Sequence, residues 1–207
     1  MKRFLLTLVL ISVTFLTAFS QAEDKILLLT GNVIEGTVTN EDSAFIYYDF
    51  YKKSGKAKAR KLDLERVFSI TDKDGERLIY QEDSTKGNTL SVKEVRDYIQ
   101  GEQDAMEYYK GNWTLLAGIP VTGGLGYVLT PSVFTFAIPF AYLVATGVPK
   151  YKIPTDKIPN PDMVENEAYL MGFERVARNK RLFKSLAAGL IGTAVGFTVK
   201  ESGVFEP

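Results

Sequence analysis

Two long uncharged segments dominate the pattern of polar and apolar positions along the chain. The longer one covers residues 113–148 and the shorter one covers residues 185–199. A helix of about 20 apolar residues crosses a bilayer, so the longer segment exceeds one simple crossing. Thr130-Pro131 lies near its middle and is typical of a break between two helices. We therefore expect a hydrophobic helical hairpin over 113–148.

The residues before these segments have the pattern of a small β-domain. Aromatic and β-branched residues alternate with polar ones, and Gly, Asn, Asp and Ser mark the turns. Five short strands favour a closed or nearly closed barrel, because closure removes exposed edges. Residues 23–85 are therefore predicted to form one small β-barrel. Its strands are predicted over residues 25–30, 33–39, 44–51, 57–71 (with a break near Leu64) and 77–81.

The segment from Gly31 to Val38 reads Gly-Asn-Val-Ile-Glu-Gly-Thr-Val. It resembles the early strands of SH3-like and Sm-like small β-barrels, in which a Gly within the second strand permits a sharp bend. This resemblance covers residues 25–81 and implies a fold without implying a ligand. The whole chain loosely resembles exported envelope proteins in which a small β-domain precedes Gly-rich hydrophobic segments. That likeness implies no activity and no site residues.

Helical patterns follow the β-domain. Residues 86–112 are predicted to form an amphipathic linker helix, since Ser91 and Glu94 match a capping box. A Pro-rich connection over 149–162 leads to an amphipathic helix that runs into a Gly-rich hydrophobic helix over 163–200. The predicted fold class is therefore α+β, with an N-terminal small β-barrel followed by amphipathic and transmembrane helices.

The N-terminal 22 residues have the pattern of a secretory signal peptide. Lys2 and Arg3 precede an apolar core, and Ser20-Gln21-Ala22 supplies the small residues that signal peptidase reads. The alternative is an uncleaved anchor, although the apolar core is short for a stable span. We expect export to a membrane of the cell envelope, with the β-domain on the periplasmic side.

The amino-acid composition excludes several kinds of catalytic and metal site. The chain has no Cys and no His, and Lys plus Arg equal Asp plus Glu at 25 each. It therefore lacks Cys nucleophiles, Ser-His-Asp triads and zinc or haem sites built on His or Cys. Its balanced charge gives no electrostatic case for nucleic acid. No Gly-x-Ser-x-Gly or Ser-x-x-Lys arrangement is present, so we expect no enzyme activity, no cofactor and no metal site.

Small residues recur at every fourth position in the apolar segments. Such faces let helix backbones approach closely, which drives packing in lipid. The pattern predicts a helix–helix interface, with Gly192 facing the first apolar segment. Incidental use of Gly, which is common in membrane helices, is the alternative. The predicted packing residues are Gly118, Thr122 and Gly126 in the first segment and Ala188, Gly192 and Gly196 in the last.

Two charged clusters are candidate sites. Six basic residues without an acidic one would suit anionic lipid head groups, but we favour a solvated hairpin that guards an edge strand. These residues are Lys52, Lys53, Lys56, Lys58, Arg60 and Lys61. Four acidic residues of the linker helix are expected to form its wet face. They are Asp97, Glu102, Asp104 and Glu107.

These patterns favour a non-enzymatic envelope membrane protein. The β-domain would be an interaction module, and the Gly-rich helices would anchor it or assemble it. The expected partners are membrane lipids and a protein partner or second copy bound through those helices. The alternative is an oligomeric channel or a component of an export system. Eight Lys or Arg residues within 149–184 favour a cytoplasmic location by the positive-inside rule, whereas a hairpin after a cleaved signal places them outside.

Overall fold

The computed structural model describes residues 24–51, 56–130, 132–149, 153, 156 and 158–203. The chain divides into two compact units, residues 1–88 and 89–207, and we describe each by itself. The predicted signal peptide, 1–22, lies outside the described residues.

The first unit contains one antiparallel sheet of six strands. Their order across the sheet is β4-β3-β2-β1-β5-β6, so the sheet is not closed, and β4 and β6 form its two edges. The sheet has six strands rather than five, because a 3-10 helix at Leu64–Arg66, at the predicted break, divides the segment 57–71 into β4 and β5. The strands are β1 Asp24–Leu28, β2 Val33–Glu41, β3 Phe45–Tyr51, β4 Ala57–Asp63, β5 Val67–Asp72 and β6 Gly75–Leu78.

Strand β2 changes partner at Gly36. Its first half pairs with β1 as far as Gly36, and from Thr37 onward it pairs with β3. A Cβ atom at Gly36 would lie 2.6 Å from the carbonyl oxygen of Asp49, so only Gly fits this close approach. The two halves of the sheet enclose a core of Ile26, Leu28, Ile46, Tyr48, Leu62, Val67 and Ile70.

The second unit is helical. Its helices are α1 Val92–Tyr108, α2 Trp113–Leu129, α3 Ile138–Gly147 and α4 Glu167–Glu201. The capping box at Ser91 and Glu94 is confirmed. The break between α2 and α3 lies where the sequence predicted it, and a 3-10 helix at Val133–Ala137 leads into α3. Pro139 lies in the first turn of α3, where its missing N–H costs nothing.

The long helix α4 organises the second unit, because each of the other helices packs against it. Helix α2 runs parallel to α4, since Gly118 lies against Ala188 and Gly126 against Thr193. Helix α3 runs antiparallel, since Pro139 lies against Gly189 while Gly147 lies against Leu182. Helix α1 packs on the N-terminal half of α4 and α2 on its C-terminal half.

One described helix, α4, is long and apolar enough to cross a membrane, whereas α2 and the segment Val133–Gly147 are apolar but shorter. A core helix of a soluble protein meets the same criteria of length and composition. What each half of α4 buries is therefore more informative than its length.

Candidate functional site

The residues that α4 buries change character along its length. Its N-terminal half packs with α1 in a core of large side chains, which includes Tyr109, Tyr169 and Phe173. Its C-terminal half buries only small residues against α2 and α3. These are Ser185, Ala188, Gly189, Gly192, Thr193 and Gly196, and the residues that α2 buries are Thr114, Gly118, Thr122 and Gly126.

The predicted packing residues are brought together at this interface between α2 and α4. A Cβ atom at Gly192 would collide with the hydroxyl of Thr122 and lie 2.5 Å from the carbonyl oxygen of Ile119. One at Gly196 would meet the backbone of Gly123, and one at Gly126 would lie 2.9 Å from the carbonyl oxygen of Thr193. Because no side chain larger than hydrogen fits at these contacts, the helices touch backbone to backbone.

Buried hydroxyls in this interface bond to helix carbonyls. The Thr122 hydroxyl lies 2.7 Å from the Gly118 carbonyl oxygen and 3.1 Å from that of Ala188 on the neighbouring helix. Between α3 and α4, the hydroxyl of Thr146 lies 2.8 Å from that of Ser185. The interface therefore combines close backbone contact with hydrogen bonds between helices, the two features that hold helices together in lipid.

Large apolar side chains cover the outside of α2, α3, the C-terminal half of α4 and the 3-10 helix at Val133–Ala137. Phe136 is 82 % exposed, Val133 78 % and Leu116 74 %. This surface has the composition that water-soluble proteins usually place in their cores, and contiguous exposed apolar surface marks a membrane or protein contact. We call it the apolar belt, made up of Leu116, Val121, Leu125, Val128, Val133, Phe134, Phe136, Phe140, Val144, Phe183, Leu190, Ile191 and Val195.

Three cations lie where the two halves of α4 meet. The Lys180 ammonium donates to the carbonyl oxygens of Ala105, Met106 and Tyr109 at 2.6–3.1 Å, at the C-terminus of α1. Desolvation there, together with the nearby Lys184, lowers the pKa of Lys180. A cation at a helix C-terminus satisfies carbonyls that have no partner within the helix.

The other two cations serve neighbouring chain ends. Arg181 is 4 % exposed and donates to the carbonyl oxygens of Gly147 and Pro149 at the end of α3. Lys184 donates to the carbonyl oxygen of Lys110 and to Asn112 Oδ1 at the start of α2. We call Lys180, Arg181 and Lys184 the boundary cations. Sequence reasoning missed their role, although their crowding at the edge of an uncharged run was a visible signal.

The expected wet face of α1 was wrong for Glu102, and Asp97 and Asp104 are half-buried. Glu102 is 1 % exposed, and its Oε1 accepts a hydrogen bond of 2.7 Å from Arg175. Desolvation raises the pKa of Glu102, which the positive charge of Arg175 only partly offsets. The carboxylate of Asp97 accepts a hydrogen bond from the side-chain amide of Asn166, the N-cap of α4. The carboxylate of Asp104 accepts one from the hydroxyl of Tyr169 in α4. Glu107 is exposed.

The basic stretch of the β-unit lies partly within the described residues. Lys52 and Lys53 fall outside them. Lys56 is exposed, and Lys58, Arg60 and Lys61 are exposed on the edge strand β4. The Lys61 ammonium lies 4.1 Å from the centre of the Phe45 ring, and the Arg60 guanidinium lies 5.9 Å from that of Phe50. Charges at such positions oppose pairing with a further strand.

Within the described ranges, no group of three or more acidic side chains has the arrangement of a metal site. The Asp72–Gly75 turn is a plain hairpin in which the Asp74 amide donates to Asp72 Oδ1. Comparison with protein-family models, with curated proteins and with solved structures gives no match. Function must therefore be argued from the packing and chemistry of the two units.

Proposed function

We propose that this chain is a non-enzymatic membrane protein of the cell envelope. Helices α2, α3 and the C-terminal half of α4 form its membrane anchor, and the β-unit is an interaction module outside the membrane. One observation carries the proposal, namely the reversal of burial along α4. Large side chains are buried on one side of the boundary cations, whereas on the other side small residues are buried and large apolar ones are exposed.

The dimensions of the anchor support this assignment. Helix α2 has 17 residues, which gives a length of about 26 Å at 1.5 Å per residue. A typical hydrocarbon core is about 30 Å thick, so the mismatch is small. Lys184 at one end and Lys200, whose ammonium lies 5.0 Å from the centre of the Tyr127 ring, at the other can extend toward the head groups.

The helix directions support three crossings. Since α3 runs antiparallel to α2 and α4, residues 149–181 lie on the same side of the membrane as α1. With a cleaved signal peptide that side is the periplasm, against the positive-inside rule. The rule carries less weight here, because Arg175 is paired with Glu102 and the boundary cations bind helix ends.

The first unit supports a role in binding rather than catalysis. Its open sheet leaves β4 and β6 at the edges, and β2 changes partner at Gly36, the Gly on which the SH3-like and Sm-like resemblance rests. We propose that the unit is a module of this small-barrel type that recruits a partner to the membrane surface. Lipid contacts by Lys56, Lys58, Arg60 and Lys61 stay a prediction.

Membrane extraction tests the proposal. The full chain should stay in the membrane pellet after washes in high salt and in alkaline carbonate, because the apolar belt holds it in the hydrocarbon. Reporter fusions after residues 110, 150 and 200 should place the first two on one side and the third on the other. Release of the chain by carbonate would show that 113–148 is the buried core of a soluble protein.

A channel or export component was the alternative to the anchor. The two assignments separate on stoichiometry in mild detergent, where a defined ring supports a pore and a single copy supports an anchor.

A further inference from the structure

A cleft lies between α1 and α4 in the half of the second unit that we place outside the membrane. It has a volume of 590 Å³, and its lining includes Tyr98, Glu174, Arg178, Asn179 and Leu182. Along α4 the charged side chains of the lining lie between two apolar ones, Met171 and Leu182. The cleft therefore presents polar groups directly above the apolar belt.

Two opposite charges in this cleft are free. Glu174 and Arg178 have the i, i+4 spacing that usually gives a helix ion pair, and the sequence alone would predict one. Within the described part of the chain, neither side chain has an ion pair or hydrogen bond. The neighbouring Arg175 is already engaged with Glu102 and with the hydroxyl of Tyr98. The cleft thus offers one available cation and one available anion, a helical turn apart.

The heights of these two charges along α4 can be compared with the layers of a bilayer surface. If the hydrocarbon begins at Leu182, Arg178 lies about 6 Å above it and Glu174 about 12 Å above it, at 1.5 Å per residue. The head-group layer on each side of a bilayer is about 5–8 Å thick. Arg178 is therefore within the head-group layer, and Glu174 lies about 4–7 Å outside it, so a head group that contacts both residues extends along α4 toward water.

We propose that this cleft binds a zwitterionic phospholipid whose head group carries a primary ammonium, the phosphatidylethanolamine class. The Arg178 guanidinium and the Asn179 amide donate to the phosphate oxygens, and the ammonium donates to the Glu174 carboxylate. An acyl chain lies along Leu182. Guanidinium groups bind phosphate through parallel hydrogen bonds, and the outward order from phosphate to amine follows the order of Arg178 and Glu174 along α4.

The free carboxylate makes the site selective. A choline head group has no N–H to donate to Glu174, and a glycerol head group brings a net negative charge toward it. A hydrogen bond to a charged group corresponds to a preference for ethanolamine over choline of about tenfold. This inference rests on the proposed membrane location of the apolar belt.

The test measures lipid binding to the full chain in detergent micelles by native mass spectrometry. Ethanolamine, choline and glycerol phospholipids with the same acyl chains are compared, together with glycerophosphoethanolamine, which has the head group without chains. The ethanolamine lipid should bind about tenfold more tightly than the choline lipid. Equal binding of the three lipids would overturn the proposal, and so would equally tight binding of glycerophosphoethanolamine, since the site would then serve a soluble ligand.

Two variants separate the roles of the charges. Glu174→Gln should abolish the preference for ethanolamine over choline while both lipids still bind, and Arg178→Gln should weaken both about tenfold. Matched controls at exposed positions, Glu201→Gln and Lys93→Gln, should change neither value. A preference that survives Glu174→Gln would refute the site. Because none of these residues belongs to the apolar belt, all variants should still resist carbonate extraction, so failure of the site and failure of membrane insertion are distinguishable.

Discussion

Replacing Gly192 by Ala tests the contact between α2 and α4 on which the proposed anchor depends. The added methyl group would collide with the Thr122 hydroxyl and approach the carbonyl oxygen of Ile119 to 2.5 Å. Overpacking a tight contact costs about 1–3 kcal/mol, and disturbing the hydrogen bond from Thr122 to Ala188 costs about 1 kcal/mol more. Ala gains about 1 kcal/mol over Gly as a helix former. The net expectation is a loss of about 1–3 kcal/mol.

Gly124 provides the matched control. It lies in the same interface-forming helix as Thr122, but a Cβ atom there meets nothing within 4 Å. Gly124→Ala should therefore stabilise the protein by up to about 1 kcal/mol. The measurement is thermal unfolding in detergent, followed by circular dichroism, for the two variants side by side. If Gly192→Ala unfolds at the same temperature as Gly124→Ala, the close contact between α2 and α4 does not exist and the packing scheme fails.

Three further outcomes are expected. A fragment of residues 24–88 should fold alone, with a β-type circular dichroism spectrum and a cooperative melting transition. A disordered spectrum would show that the β-unit does not fold as a separate module. Gly36→Val in that fragment should cost about 1–3 kcal/mol, because its side chain would press on the Asp49 carbonyl. Burial raises the pKa of Glu102 above its unfolded value, so the stability it contributes is present at acidic pH and is lost as pH rises through the folded pKa. Glu102→Gln should remove the contribution of Glu102 from the pH dependence of the free energy of unfolding. An unchanged pH profile in this variant would contradict the raised pKa of Glu102.

Local signals in the sequence predicted much of the helical unit. The capping box at Ser91, the break at Pro131 and the four-residue spacing of Gly and Thr depend on neighbours within a few positions. For that reason they could be read without knowing the fold. The spacing even indicated which faces of α2 and α4 would meet, because small residues on a helix have few other uses in lipid.

Features that depend on distant residues were missed. The sequence predicts a solvated Glu102, because nothing near it in the sequence shows that Arg175 and the backbone of α4 cover it. The boundary cations bind carbonyls more than 30 positions away, so their partners are invisible to periodicity. In the β-unit, the sheet order puts β1 between β2 and β5, and turn spacing alone does not reveal that this leaves two edges open.

Spin labelling at single cysteines tests the central claim most directly, and the natural absence of Cys makes the chain suited to it. Labels would be placed at Leu116, Phe140 and Leu190 of the apolar belt and at Lys93 and Met171, which are exposed on the other side of the boundary cations. In liposomes of purified protein, collisions with oxygen report lipid and collisions with a water-soluble nickel chelate report water. The account predicts high oxygen and low nickel accessibility at the three belt positions and the reverse at the other two. High nickel accessibility at Leu116, Phe140 and Leu190 would show that the belt faces water and would contradict membrane insertion.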